Sequence, residues 1–288
     1  AYRRALEGAS ITSAIWSNYL YTLHYSDAIS AAEIVAEHRR WGEAAAKAAT
    51  PLRDPADRDR GKRRLRVGYM SPDLVRHSVA YFALPVLLGH DRRRVEVVCY
   101  QVAPGADDMT AVLKEAADGW RDVSRLDDDA IAAAIAADDV DVLIDLAGHT
   151  AKGRPGVLAR RPAPLQAGYL GYPNVTGLPT VDLRFVDAAT DPDAGEDGAA
   201  PERRIVLPRP FMAYAPPAEA PSVRPRRTSD GVVFASFNNL AKASPACVDL
   251  WAETLLATPG SRLLLKAKAF AESESRDRFA AAFARRGV

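Results

Sequence analysis

The sequence predicts an α/β protein built on a mainly parallel sheet, and two observations carry that prediction. From Leu65 onward, short β-branched apolar runs alternate with segments of helical periodicity, which is the trace left by parallel strands joined through crossover helices. Ahead of Leu65 the patterning is helical only, and a Pro-rich, charged stretch over 50–61 separates the two textures.

Taken in order, residues 1–50 place Ala5, Ile11, Ile15, Tyr19, Leu20 and Leu23 on apolar helical faces. Ser30 and Glu33 then form a capping box: the serine accepts an early helix N–H and the glutamate reaches back, which opens a helix running to about Ala48. Residues 51–64 read as a linker. Strands are expected over 65–70, 95–102, 140–146, 165–170 and 183–186, with helices near 79–89, 108–118, 127–138 and 153–160. These make one domain over 65–214, whose ligand site should lie at the carboxyl ends of its strands. A loop-rich segment over 190–201 and a second linker over 215–230 follow. The α/β texture then resumes over 231–288 as strand 231–237, helix 245–257, strand 262–266 and helix 272–286. A single βαβα unit has too few strands for a closed core, so 231–288 is expected to be the start of a second doubly wound domain.

Composition narrows the partners. The 288 residues carry 48% hydrophobic and 26% charged side chains, those of a soluble globular protein with a sizeable core. With 38 basic and 37 acidic residues the net charge is +1, which exerts no overall pull toward nucleic acid or an anionic membrane. The basic run at Arg224, Arg226 and Arg227 reads as solvated linker charge. Cys99 and Cys247 form no CxxC pattern, which points to a reducing compartment without a disulfide scaffold. No apolar run approaches the roughly 20 residues of a membrane span, and the first seven residues lack a signal-peptide core. A cytoplasmic protein with neither nucleic acid nor membrane as partner is expected. The chain lacks an initiator Met, so it is expected to begin inside something longer or processed.

GxGxxG, the Walker A loop, GxSxG, HExxH and paired CxxC are all absent, which disfavours dehydrogenase, P-loop kinase, α/β-hydrolase and zinc-enzyme chemistry. What remains is gathered at predicted strand ends. Asp73 and His77 follow the first strand, at the start of a helix whose free N–H groups attract anions. An imidazole there can act as a base or a hydrogen-bond donor near neutral pH, although a turn-capping Asp73 and a surface His77 fit the same spacing. His149 follows the third predicted strand, in "LIDLAGHT", and two histidines at equivalent strand ends point to one cleft; a loop histidine satisfied by Asp145 or by backbone fits as well. Gly171 and Gly177 bracket a tight loop where backbone can approach a ligand. In "FNNLAK", Asn239 and Lys242 close the first strand of the second domain, where a lysine can neutralise charge on a leaving group or simply be solvated. His24, His38 and His90 sit in helical or turn contexts, and His38 with Trp41 is expected to pack a helix.

Together "LRVGYMSPDLVRHSVAYF", "LIDLAGHT", "ARRPAPLQAGYLGYP" and "FASFNNLAKASP", in this order and spacing, resemble the catalytic region of the TPR-linked protein O-GlcNAc transferases of glycosyltransferase family 41, in their SPINDLY-like bacterial branch. The opening "AYRRALE" resembles the end of a TPR helix, so the resemblance covers essentially the whole chain. It implies a GT-B fold: one complete Rossmann-like lobe plus the beginning of a second, preceded by TPR-type helices. It also implies inverting transfer of GlcNAc from UDP-GlcNAc, as donor substrate, to Ser or Thr of protein acceptors, with no cofactor and no metal required. Carried over position by position, His77 lies beside the donor sugar and acceptor hydroxyl, with Asp73 nearby as a candidate base. Lys242 stabilises the diphosphate leaving group, and Asn239 is a donor-contacting amide. Leu170 and Gly171 approach the donor through their backbone, and His149 is counted among the donor-side residues. Asn174-Val-Thr-Gly177 departs from the family's usual Gly-Thr-(Ser/Thr)-Gly, and the family's later His-Thr-Thr-Gly motif has no counterpart before Val288. The isolated chain is therefore expected to show no transfer. An O-fucosyltransferase using GDP-fucose and a non-catalytic TPR-linked binding module are the alternative readings.

Overall fold

The computed structural model describes residues 2–6, 8, 10–11, 14–57, 64–192, 200–208, 210–217, 219–223 and 231–288. Residues 58–63 of the first expected linker lie outside the described residues. So do 193–199 of the long loop, and 218 and 224–230 of the second linker, with the basic run at Arg224, Arg226 and Arg227. The chain divides into two compact units, one of Ala1–Leu23 with Ser30–Ala218, the other of His24–Ile29 with Glu219–Val288.

In the first unit, helices α1 (Tyr2–Leu6), α2 (Ala14–Leu23) and α3 (Ala31–Lys47) precede the sheet. α3 opens on the expected capping box: Ser30 Oγ accepts from Glu33 N at 3.2 Å and the Glu33 carboxylate accepts from Ser30 N at 2.8 Å. Then follow β1 (Leu65–Ser71), α4 (Ser78–Gly89), β2 (Val95–Gln101), α5 (Asp108–Glu115), β3 (Gly119–Asp122), α6 (Asp128–Ala137), β4 (Val142–Asp145), α7 (Pro155–Ala159), β5 (Leu165–Gly168), β6 (Leu183–Asp187) and β7 (Arg203–Leu207).

Among the described residues these seven strands form one sheet in the order β3-β2-β1-β4-β5-β6-β7, and every pairing is parallel. A parallel sheet is covered on both faces, so its central strands are near-continuous apolar runs. β1 and β2 each end in five consecutive buried residues. On one face, Leu74, Leu87, Leu113 and Leu146 pack fully buried with Val97 and Cys99, each leucine contributing about 2–3 kcal/mol of transfer free energy. The first strand, β2 and the strands near 142, 165 and 183 lie where periodicity puts them. β3 and β7 were not among the expected strands. Both are the edges of the sheet, and their sequences, GWRD and RRIVL, carry the charges that suit an edge and erase the apolar signature of a strand.

The Pro-rich stretch after α3 is pinned at its start. Leu52 N donates to Arg160 O at 2.8 Å and Arg53 N to Arg161 O at 3.1 Å, while the Arg53 guanidinium reaches Ala136 O at 2.6 Å.

The second unit pairs β8 (Val233–Ser236) with β9 (Arg262–Leu265) in parallel, beside α8 (Pro245–Leu256) and α9 (Ser273–Ala284). Among the described residues of this unit, Val248, Ala252 and Phe279 are buried.

Candidate functional site

The strand order fixes where a site can be. From β1 the chain moves outward to β2 and β3, and then returns to build β4 to β7 on the other side. The order reverses between β1 and β4, and in open α/β sheets that reversal opens a crevice at the carboxyl ends of the strands. The turns after β1, β4 and β5 line it.

The turn after β1 is held by its neighbours so that two polar side chains point outward. Ser71 Oγ accepts from Asp73 N at 3.0 Å, Leu74 is fully buried, and Thr110 Oγ1 donates to Leu74 O at 2.8 Å. Asp73 is left partly buried, and the His77 side chain is 47% exposed. His77 is the N-cap of α4: its Nδ1 accepts from Val79 N at 3.3 Å. Asp73 Oδ2 stands 3.6 Å from the same nitrogen, beyond hydrogen-bond range. With the Nδ1 lone pair taken by the helix, a neutral His77 carries its proton on Nε2 and offers a donor outward. Burial pushes the Asp73 carboxyl above its ordinary value, with the charges of His77 and Lys152 pulling it back. Sequence reasoning passed over Lys152; its left-handed backbone, φ 63°, and its charge beside Asp73 come from the fold of the 148–153 turn.

The turn after β4 repeats the spacing and inverts the exposure. Asp145 and His149 are four residues apart, like Asp73 and His77, yet they are 3% and 1% exposed. Asp145 accepts from Ala147 N at 3.3 Å and Gly148 N at 2.6 Å. Burial pushes its carboxyl up to about 6 against those bonds, and the charge of Asp73 adds to the rise. His149 Nε2 lies 2.8 Å from Thr176 O. A carbonyl only accepts, so Nε2 carries the proton and Nδ1 accepts from the Ser17 hydroxyl at 3.0 Å. Trp41 packs edge-on at 4.6 Å, with Tyr172 at 5.3 Å and His38 at 5.4 Å between ring centroids. His149 therefore faces the seam between the sheet and α2 and α3, satisfied by backbone as one of the two sequence readings had it, with Ser17 in place of Asp145. His38 and Trp41 pack α3, as expected.

The turn after β5 brings backbone forward. Leu170 has φ 77°, and Gly171 N donates to Tyr169 O at 3.0 Å. Such an i to i+2 turn through a positive φ is rare and strained, at about 1–3 kcal/mol for a non-Gly residue. Gly171 is required because a Cβ there would stand 1.9 Å from Leu146 O. The divergent segment 174–177 turns into the protein: Val175 and Thr176 are buried, and Thr176 N donates to Glu202 Oε1 at 2.6 Å. Burial pushes the Glu202 carboxyl up to about 7 despite these bonds and the Arg184 charge.

In the second unit, Asn239 Oδ1 accepts from Ala241 N at 3.1 Å, starting a 3-10 turn over Leu240–Lys242. The exposed Lys242 lies three residues ahead of α8, whose N-cap is Ser244 and whose first residue is Pro245. A cation and a helix N-terminus together favour an anion. Among the described residues, no group of three or more His, Cys, Asp or Glu is placed to hold a metal ion, and no helix is long and apolar enough to cross a membrane.

A family model described as glycosyl transferase family 41 matches residues 29–212. The chain is 36% identical over 295 residues to the probable UDP-N-acetylglucosamine–peptide N-acetylglucosaminyltransferase SPINDLY of Oryza sativa subsp. japonica, covering 100% of this chain and 32% of that protein. It is 41% identical over 235 residues to the protein of the same name from Arabidopsis thaliana, covering 79% and 25%. A solved structure, titled as a mutant of the Thermobaculum terrenum O-GlcNAc transferase, matches with a TM-score of 0.91 at 35% identity, covering 100% of this chain and 55% of that one. The chain thus spans about a quarter to a third of the length of these curated relatives.

Proposed function

The chain belongs to glycosyl transferase family 41, and from that premise we propose that the protein transfers N-acetylglucosamine from UDP-GlcNAc to Ser or Thr hydroxyls of protein acceptors. The observation that carries the proposal is the turn after β1, a strand that borders the sheet's reversal point, where the half-exposed His77 caps α4 with the partly buried Asp73 carboxylate 3.6 Å from its Nδ1. Support also comes from the likeness along the whole chain to a solved O-GlcNAc transferase.

In this reading the acceptor hydroxyl attacks the anomeric carbon as the bond to the diphosphate breaks, a single displacement that inverts the centre, with the hydroxyl proton passing to the Asp73 carboxylate as base. His77 presents Nε2–H to an oxygen of the reacting groups. To serve as base instead, its proton would sit on Nδ1, turned toward Asp73 and away from Val79. Leu170 and Gly171 meet the donor through backbone, in a turn that a side chain at Gly171 would displace by meeting Leu146 O. Lys242 and Asn239 in the second unit act on the donor side, where Lys242 neutralises charge on the departing diphosphate, so that no metal is needed. His149 belongs to the scaffold of this site. The balanced net charge of +1 supports a reaction with neither nucleic acid nor membrane as partner, and two cysteines without a CxxC pattern support a reducing, cytoplasmic setting.

Calorimetric titration of the full-length protein with UDP-GlcNAc and with GDP-fucose tests the proposal: the uridine donor should bind, and binding of the guanosine donor alone would refute it. Lys242→Ala should abolish transfer with folding intact, a loss of about 3–4 kcal/mol of transition-state stabilisation.

A further inference from the structure

The segment that meets the donor in the proposed reading, Leu170 and Gly171, is held from behind, through Tyr172, by a helix that lies before the sheet in sequence. His38, on α3, is fully buried. Its Nδ1 is 2.7 Å from Ile34 O and its Nε2 is 2.6 Å from the Tyr172 hydroxyl. The carbonyl can only accept, so Nδ1 carries the ring proton and Nε2 accepts from Tyr172 O–H. Burial pushes the Tyr172 phenol well above its ordinary value, so it stays a donor. The helix geometry of α3 thereby selects the tautomer that receives Tyr172.

Tyr172 follows Gly171 directly, and it has no room to drift. A Cβ on Gly148 would stand 2.5 Å from Tyr172 Cβ, and one on Gly171 would stand 1.9 Å from Leu146 O. A second contact fastens the same loop to the same helix: a Cβ on Gly42 would lie 1.9 Å from Gly177 O, and one on Gly177 would lie 2.0 Å from His38 O. With two contacts to one helix and close packing against the turn after β4, a shift of α3 moves the 170–172 turn with it.

We propose that His38 is a positioning residue for the donor-contacting turn, setting the place of Leu170 and Gly171 through its hydrogen bond to Tyr172. The inference rests on the transferase reading. It makes α3 part of the donor site without touching the donor.

The test is steady-state kinetics of the full-length protein at varied UDP-GlcNAc. His38→Phe keeps a ring but cannot accept from Tyr172; it should raise the donor KM about tenfold, the effect of one lost neutral hydrogen bond, with a much smaller change in kcat. Tyr172→Phe removes the same bond from the other side and should give a similar shift, and the double variant should be no worse than either alone. His38→Gln, whose amide oxygen can accept, should recover part of the donor affinity. Glu33→Ala, which breaks the exposed capping box of α3, should lower the melting temperature and leave the donor KM unchanged. Turnover with an unaltered donor KM in both His38→Phe and Tyr172→Phe overturns this inference alone. An equal KM shift in Glu33→Ala overturns it too, since α3 stability would then explain everything. Absence of turnover in the unsubstituted full-length protein overturns the transferase reading and this inference with it.

Discussion

The turn after β1 and the turn after β4 are written alike and do opposite things. Each places an aspartate four residues ahead of a histidine at the end of a parallel central strand. In the first, His77 caps a helix with one nitrogen and keeps the other outward. In the second, His149 commits both nitrogens to the protein interior, to Ser17 and Thr176. The difference is what lies against each turn. α2, α3 and the loop after β5 close over the second, with Ser17 and Thr176 as its polar partners, whereas the first turn leaves the histidine side chain 47% exposed. A shared spacing at a strand end therefore says that a side chain can reach the crevice, and the covering elements decide whether it does.

The largest effect should come from the backbone that separates these turns from the donor loop. Gly171→Ala would drive a Cβ into Leu146 O, which cannot yield without moving β4. A loss above about 4 kcal/mol in urea unfolding is expected, and a stable variant would break the account of how the turn after β4 supports the one after β5. Next come the two histidines as a pair. His149→Ala leaves a cavity among Trp41, Tyr172 and His38 and an unpaired Ser17 hydroxyl, and should lower stability by about 3 kcal/mol. His77→Ala should cost under about 1 kcal/mol of stability, the worth of a modest cap, while transfer by the full-length protein falls by about a hundredfold or more. Equal stability losses in the two variants would erase the contrast.

The smallest effect is a pH dependence carried by the buried turn's support. Glu202 grips Thr176 and Gly177, and burial pushes its carboxyl up to about 7 from its ordinary value of 4.5. A folded-state value above the unfolded one means that the native chain binds the extra proton. Stability should then be highest below about 4.5 as far as this group is concerned, and be lost as pH rises through 7, by on the order of 2–3 kcal/mol. Melting curves between pH 5 and 8 should show that slope, and Glu202→Gln should flatten it. An unchanged slope in the variant would assign the linkage to other groups.

Much of the fold was legible in the sequence because it rests on local physics. The capping box at Ser30 and Glu33, the central strands and the helices between them follow from periodicity and end signals. β3 and β7 were not legible, since edge strands need neither two apolar faces nor apolar length. Of the candidate site, Asp73 and His77 stand at the strand end where sequence put them, whereas the strained backbone of Leu170 had no sequence signal of its own. Lys152, Tyr172, Ser17 and Glu202 went unseen because their contacts join segments 26 to 134 residues apart or depend on a turn's handedness. The repeated Asp-x-x-x-His spacing was the one available signal.

By itself, then, the sequence determined the central strands and the helices between them, the polar groups at their ends and a family resemblance carried by four ordered motifs. Tertiary structure alone decided which of two equivalent histidines faces outward, and that α3 braces the loop after β5. Both outcomes depend on which surfaces pack together, and packing is settled by shape and hydrogen-bond matching between segments that share no local pattern.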